Sequence, residues 1–167
     1  MIYAFIPARS GSTRLKDKNF LMLKDKRLFE WSIETANSTK NIDKIIFSSD
    51  SKKYIDYALS LKLKKELIID KRSDLNSSNN TKIYDYLKGD FLKNNSFLVQ
   101  NDSLVMLLPT QPFREINDVQ NIIKLGIKNN CNYFSSRKYN FHVSFAFEIL
   151  NNGDFKELFE NSPLKTG

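Results

Sequence analysis

Four cations and a run of small residues share one short stretch near the N-terminus, Pro7-Ala8-Arg9-Ser10-Gly11-Ser12-Thr13-Arg14-Leu15-Lys16-Asp17-Lys18-Asn19. Arg9, Arg14, Lys16 and Lys18 bring positive charge, while Ala8, Ser10, Gly11 and Ser12 leave the backbone open to close approach. Small residues let N–H groups close around an oxyanion, and the cations neutralise it. The chemistry this spacing fits is the holding of a phosphate chain. A solvated basic loop fits the stretch alone equally well, because short motifs containing Gly and Ser recur by chance. It is neither a Walker A loop, which needs Gly-Lys-Ser/Thr, nor a dinucleotide G-x-G-x-x-G.

The elements that must position this loop are legible as an alternation. Ile2-Tyr3-Ala4-Phe5-Ile6 reads as a short buried strand that Pro7 ends, because proline cannot donate to a ladder. Phe20 to Leu23 reads as a short extended piece, followed by a turn at Asp25-Lys26. Phe29, Ile33 and Ala36 then give a helix over 27–37 its core face, with Trp31 as packing. Lys44 to Ser48 is a second buried strand, after which Asp50 or Ser51 caps a helix carrying Tyr54, Ala58 and Leu61; for Asp50 a cap outweighs a catalytic role. Leu67-Ile68-Ile69 leads into the polar loop 71–81, and Ile83, Leu87 and Phe91 mark a helix. Leu104 to Leu108 reads as another buried strand, ending in Pro109-Thr110-Gln111-Pro112-Phe113-Arg114. Ile116, Val119, Ile123 and Ile127 predict a helix, Tyr133 to Ser136 and Val143 to Leu150 predict strands, Asn152-Gly153 a turn, and 154–160 a short helix.

Strands alternating with helices predict an α/β fold, a Rossmann-like mostly parallel sheet with helices on both faces. The chain reads as a single domain over 1–167. Ligands in such folds bind at the carboxyl ends of the strands, where loops 7–19, 71–81 and 109–114 converge. That convergence turns the reading toward a nucleotide site.

Composition narrows the classes. With 41% hydrophobic and 27% charged residues, the chain is ordinary for a globular protein and unlike a disordered one. No apolar run approaches the roughly 20 residues a membrane helix needs, and no signal peptide is expected. One cysteine, Cys131, excludes an internal disulfide and suits a cytoplasmic location. One histidine, His142, reads as structural rather than as a general base, and with so few soft ligands a zinc site is not expected. Residues 1–27 hold seven cations and two acids, five of the seven net positive charges. Such a patch suits a polyanionic ligand. Nucleic acid is not the expected partner, because no aromatic residues interleave with the cations.

Three motifs in order resemble the acylneuraminate cytidylyltransferase family, the synthetases of CMP-activated nonulosonic acids. They are Ile6-Pro7-Ala8-Arg9-Ser10-Gly11-Ser12 with Lys18-Asn19, then Phe47-Ser48-Ser49-Asp50-Ser51, then Leu107 to Arg114. Gly11-Ser12-Thr13-Arg14-Leu15 is also similar to the CMP-Kdo synthetases, with Arg14 supplying the cation that sialate enzymes carry as lysine at the Thr13 position. The resemblance implies transfer of CMP from CTP to the anomeric hydroxyl of an acidic keto-sugar, with release of pyrophosphate and with Mg²⁺. It implies that Arg9 and Lys18 are the catalytic cations, that Ala8, Ser10, Gly11, Ser12 and Arg14 hold CTP, and that Asn19 contacts the nucleotide. Arg72, Ser78 and Thr81 fall where the family reads cytosine.

Departures from the family pattern shape further expectations. The Gln-Pro-Thr of the family is Leu108-Pro109-Thr110 here, so Gln111 either takes over the sugar contact or faces solvent. Arg114 either binds the sugar carboxylate or closes the proline loop. The family continues into an Asn-Gly strand and a later acidic pair that binds metal, whereas this sequence ends at Gly167. The resemblance thus predicts a C-terminally truncated chain, a homodimer, and a metal whose ligands are unknown. Asp50, Asp74 and Asp102 are the acids near expected loops that remain as substitutes. The expected behaviour is CTP binding with poor turnover. The rival readings are a CMP-Kdo-type synthetase and a non-catalytic CTP-binding module.

Overall fold

A computed structural model describes residues 1–12, 15–77, 81–136 and 143–160. In chain order the elements are β1 (Ile2–Pro7), β2 (Met22–Leu23), β3 (Lys26–Arg27), α1 (Leu28–Ser38), β4 (Lys44–Ser49), α2 (Lys52–Ser60) and β5 (Leu67–Lys71). There follow α3 (Ile83–Tyr86), a π turn (Leu87–Phe91), α4 (Leu92–Asn94), β6 (Ser103–Met106), α5 (Ile116–Asn129), β7 (Phe147–Ile149) and β8 (Phe155–Glu157). Contacts divide the chain into two units, Met1–Tyr133 and Phe134–Gly167.

In the first unit the strands order as β5-β4-β1-β6, every pairing parallel. Successive residues of a strand point to opposite faces, and both faces are buried here. Ala4, Ile6, Ile45 and Phe47 pack with Phe29 and Ile33 of α1, Tyr54 and Ala58 of α2, and Val119 and Ile123 of α5. Tyr3, Phe5 and Ile46 face the other way, onto Tyr86 and Phe91. The fold is the expected α/β parallel sheet with helices on both faces. Among the described residues no helix is long and apolar enough to cross a membrane.

Pro7 is the last residue of β1 and lies opposite Ser48, and the chain leaves the sheet there. Ala8 N then donates to Ser48 O at 2.8 Å, so the phosphate-loop candidate starts from a fixed point beside β4. Ser51, not Asp50, caps α2, its hydroxyl accepting from Tyr54 N. The short extended piece is a 3₁₀ turn over Lys18–Phe20 followed by the hairpin β2–β3.

That hairpin turns through Lys24, which sits at φ 58°. A left-handed backbone costs a residue with a Cβ about 1–2 kcal/mol, while glycine loses about 0.5–1 kcal/mol more entropy on folding. Lys24→Gly is therefore expected to stabilise the protein by about 0.5–1 kcal/mol. Thermal unfolding measures it, and an unchanged or lower midpoint counts against a strained turn.

Four sequence expectations are corrected. The segment 104–108 is not a buried strand. The strand is Ser103–Met106, with Leu104 and Met106 each 40% exposed, because among the described residues β6 lies at the edge of the sheet with β1 as its hydrogen-bonded neighbour. Tyr133 to Ser136 forms no strand; it is exposed and irregular, with no ladder partner among the described residues. Val143–Phe145 is a 3₁₀ turn, so the strand expected from 143 shrinks to Phe147–Ile149. The helix expected over 154–160 is instead β8, antiparallel to β7. Gly153 at φ 88° closes that turn, with Gly153 N donating to Leu150 O at 2.9 Å and Leu150 N to Asp154 O at 2.7 Å.

Candidate active site

The loop after β1 is held by the end of β4, one side chain after another. Ser49 Oγ donates to Ala8 O at 2.7 Å. Asp50 accepts from Ser10 twice, from the amide at 2.8 Å and from the hydroxyl at 2.7 Å. Asp50 thus serves the loop rather than the helix that follows it. From the other side Asn19, buried in its 3₁₀ turn, donates Nδ2 to Arg9 O at 3.0 Å. Asp17, at the start of that turn, accepts from Tyr54 Oη at 2.9 Å. Burial, then that hydrogen bond, pushes the Tyr54 hydroxyl up and keeps it a donor.

These bonds also decide which groups are left for an anion. Ser10 N–H is taken by Asp50, and Ser12 N–H turns back to Ser10 O at 2.8 Å. Among the described residues of the loop, Ser10 and Ser12 therefore do not offer a nest of successive free amides. Gly11 is exposed, and a Cβ there would meet nothing nearer than Ser77 O at 3.9 Å. The positive charge comes from Arg9 and Lys18, which line one cleft with Ser12.

That cleft has a volume of about 290 Å³ and is lined from beyond the carboxyl ends of β1, β5 and β6. It brings together six of the residues singled out in the sequence: Arg9, Ser12, Lys18, Asn19, Arg72 and Thr81. Arg9 Nη1 reaches Ser77 O at 3.4 Å, and Thr81 Oγ1 donates to Leu75 O at 2.8 Å. Arg72 is 6% exposed, and burial lowers its pKa from the usual arginine value. Ala8 is fully buried in the core beneath, and Ser10 faces Asp50. Gln111 is exposed, and neither it nor Arg114 is in the cleft lining. Arg114 ties the proline loop down, Nη1 donating to Ser32 Oγ at 2.9 Å and Nη2 to Leu108 O at 2.7 Å. Arg14, Ser78 and His142 lie outside the described residues.

The cytidylyltransferase family pattern matches residues 3–166. The chain belongs to this family. It is 35% identical over 129 residues to the N-acylneuraminate cytidylyltransferase of Escherichia coli, covering 74% of this chain and 28% of that protein. It is 28% identical over 149 residues to the pseudaminic acid cytidylyltransferase of Campylobacter jejuni, covering 88% of this chain and 62% of that protein. The fold is similar to that of a CMP:2-keto-3-deoxy-manno-octonic acid synthetase complexed with CTP, at a TM-score of 0.57 and 19% identity, covering 77% of this chain and 48% of that one. A cytidylyltransferase from Leptospira borgpetersenii is similar at a TM-score of 0.53 and 21% identity, over 77% of this chain and 49% of that one. The chain thus spans between about a quarter and two thirds of the length of these relatives.

Several cleft residues of this cytidylyltransferase-family chain carry no individual role in a reading of the sequence, although four of them fall in the three loops expected to converge. Pro7, Leu108, Pro109 and Thr110 line the cleft from the ends of β1 and the β6 loop, and Asn76 and Ile83 line it beside Arg72. The convergence of the three loops was the signal that could have named them. Among the described residues, no group of three His, Cys, Asp or Glu side chains is placed to hold a metal ion. Asp50 spends its two oxygens on Ser10, and Asp102 accepts from the N-terminal ammonium at 2.5 Å and from Val99 N. The described residues do not fit a resident metal.

Proposed function

We propose that this chain binds CTP in the cleft and carries the nucleotide site of a cytidylyltransferase. The reaction is transfer of CMP to the anomeric hydroxyl of an acidic nonulosonic sugar. The hydroxyl oxygen forms a bond to the α-phosphorus, the bond to the leaving pyrophosphate breaks, and the hydroxyl proton is released. The observation that carries the reading is the meeting of Arg9 and Lys18 with Arg72, Asn76 and Thr81 in one cleft at the strand ends. Cations at one part of the cleft neutralise charge that builds on the pyrophosphate. Arg72, Asn76 and Thr81, beside the apolar Ile83, offer the donors and acceptors a pyrimidine requires.

Within this reading Arg9 and Lys18 contact the triphosphate, with Ser12, Gly11 and Arg14 alongside. Asn19 acts through the Arg9 carbonyl it holds. Ala8 and Ser10 act through the loop shape they fix. Gln111 and Arg114 are the residues we place toward the sugar acid, Arg114 also keeping its loop in place. The names of the matching relatives, N-acylneuraminate and pseudaminic acid enzymes, support a nonulosonic acid as the acceptor class. Mg²⁺ enters the reading as the ion that a nucleoside triphosphate carries, and no step is assigned to it. The reaction belongs in the cytoplasm, where CTP is available, and a homodimer is the assembly we propose.

Calorimetry with CTP, UTP, ATP and GTP tests the site. CTP is expected to bind at least about tenfold more tightly than the purine nucleotides, a difference of about 1.4 kcal/mol. Equal affinity for all four would remove the cytidylyl assignment and leave a phosphate site.

A further inference from the structure

Beneath the cleft, β4, β5 and the helical segment 83–94 gather a set of polar groups that the nucleotide reading leaves unused. Asp70, 3% exposed on β5, accepts from Ser48 Oγ, from Tyr86 Oη at 2.7 Å and from Asn95 Nδ2 at 3.1 Å. A carboxylate so deeply buried persists only when donors surround it. Burial, and next the hydrogen bond to Asp70, push the Tyr86 hydroxyl up, so it stays a donor. Ser48 has one O–H donor, and its hydrogen bond goes to Asp70. A lone pair remains, and Arg72 donates Nε–H to it at 2.8 Å.

Carboxylate, hydroxyl and guanidinium therefore form a chain that leads from the core to the cleft. A direct bidentate pair with Asp70 would occupy two guanidinium donors. Routing the contact through one hydroxyl holds Arg72 by its Nε side instead. Its guanidinium lies 5.0 Å from the centre of the Tyr86 ring, and its Nη2 is buried without a partner among the described residues. An arginine that lines a cleft and keeps a desolvated donor unpaired is arranged for an acceptor that arrives later.

We propose that Ser48 and Asp70 are positioning residues, which hold Arg72 by Nε so that Nη2 meets an acceptor oxygen of the bound nucleotide outside its phosphate chain. Tyr86 and Asn95 fix the carboxylate that anchors the arrangement. The proposal rests on the CTP reading of the cleft, and it separates two jobs within it. Arg9 and Lys18 hold phosphates, whereas the Asp70–Ser48–Arg72 chain reads the nucleoside.

The test is calorimetry on the whole chain with two ligands, CTP and inorganic tripolyphosphate. Ser48→Ala is expected to weaken CTP about tenfold, the loss of one hydrogen bond to a charged group, and to leave tripolyphosphate within about twofold. Placed on an Arg72→Ala background, Ser48→Ala should cost CTP less than about twofold more, because the two act as one unit. Asp70→Asn is expected to follow Ser48→Ala. Should Asp70→Asn fail to fold by circular dichroism, Ser48→Ala, which removes a single buried oxygen, carries the test alone. Arg72→Ala with unchanged CTP affinity would overturn the placing of the nucleoside beside Arg72, and with it the reading beneath. An Arg72→Ala loss without a Ser48→Ala loss would overturn the positioning role alone. So would additive losses, or equal losses for both ligands.

Discussion

Phe47→Ala is expected to destabilise the protein by about 3–5 kcal/mol, the usual cost of emptying a packed aromatic site. Phe47 is fully buried at the centre of β4, with its ring 4.8 Å from that of Phe29. Phe29 in turn lies against Tyr54 and Tyr57, so the cavity would open at the meeting of the sheet with α1 and α2. The chain leaves this core directly into Ser48, Ser49 and Asp50, which hold Arg72, Ala8 and Ser10. Urea unfolding followed by circular dichroism measures the loss. The total stability of a domain is about 5–15 kcal/mol, so a loss of this size leaves a measurable unfolded fraction near physiological temperature. Leu59→Ala, at a side chain 57% exposed on α2, should stay within about 0.5 kcal/mol of the parent. Similar small losses at both positions would show that β4 is not the keystone of this core.

Removing both Arg9 and Lys18 as alanine is expected to weaken CTP about a hundredfold. Each desolvated contact to phosphate is worth about 1.5–3 kcal/mol, or at least about tenfold. The two residues reach the cleft from different elements, Arg9 from the loop after β1 and Lys18 from the 3₁₀ turn. Their effects should therefore come close to adding. Two nearby lysines are the controls. Lys26 is paired with Glu34 at 2.7 Å and lies over the Trp31 ring, and Lys24 is exposed at the hairpin turn. Lys26→Ala and Lys24→Gly should leave CTP affinity within about twofold, since neither lines the cleft and solvent screens charges outside it. A double variant that still binds CTP normally, or controls that lose as much, would reduce the cleft to part of a diffuse basic surface.

The parts legible in the sequence were those written locally. The apolar run of β1, the proline that ends it and the small and basic residues after it can be read without knowing any partner. The burial of both sheet faces follows from the unbroken apolar runs of β1 and β4. The function of Ser48 and Asp50 was not legible, because their partners come from distant segments: Asp50 meets Ser10 in the loop after β1, and Ser48 meets Asp70 on β5 and Arg72 just beyond it. As letters Ser48 reads as the end of a strand and Asp50 as a helix cap, a role that falls to Ser51. The exposure of β6 was hidden for a related reason, since an apolar run does not say whether its strand lies at the centre or the edge. The turn at Asn152-Gly153 was visible, yet the residues after it read as helical. A tight turn with Gly153 in the left-handed region returns the chain antiparallel, and pairing with β7 then overrides that preference.

The π turn over Leu87–Phe91 bears on how the chain tolerates changes in length. In a regular α-helix Tyr86 and Asn95 would stand about two and a half turns apart, on opposite sides. Both nevertheless reach Asp70, because five residues here complete one hydrogen-bonded turn and the extra one is absorbed in the wider loop of backbone. Gly89 sits within that turn, and a Cβ on it would touch nothing within 4 Å. A chain lacking Gly89 would close the turn into ordinary α-helix and still deliver Tyr86 and Asn95 to the same carboxylate. Deletion of one residue from Leu92–Asn94, with the π turn kept, would instead swing Asn95 by about 100° relative to Tyr86. The segment therefore carries one spare residue, and the spare lies where its loss does least harm.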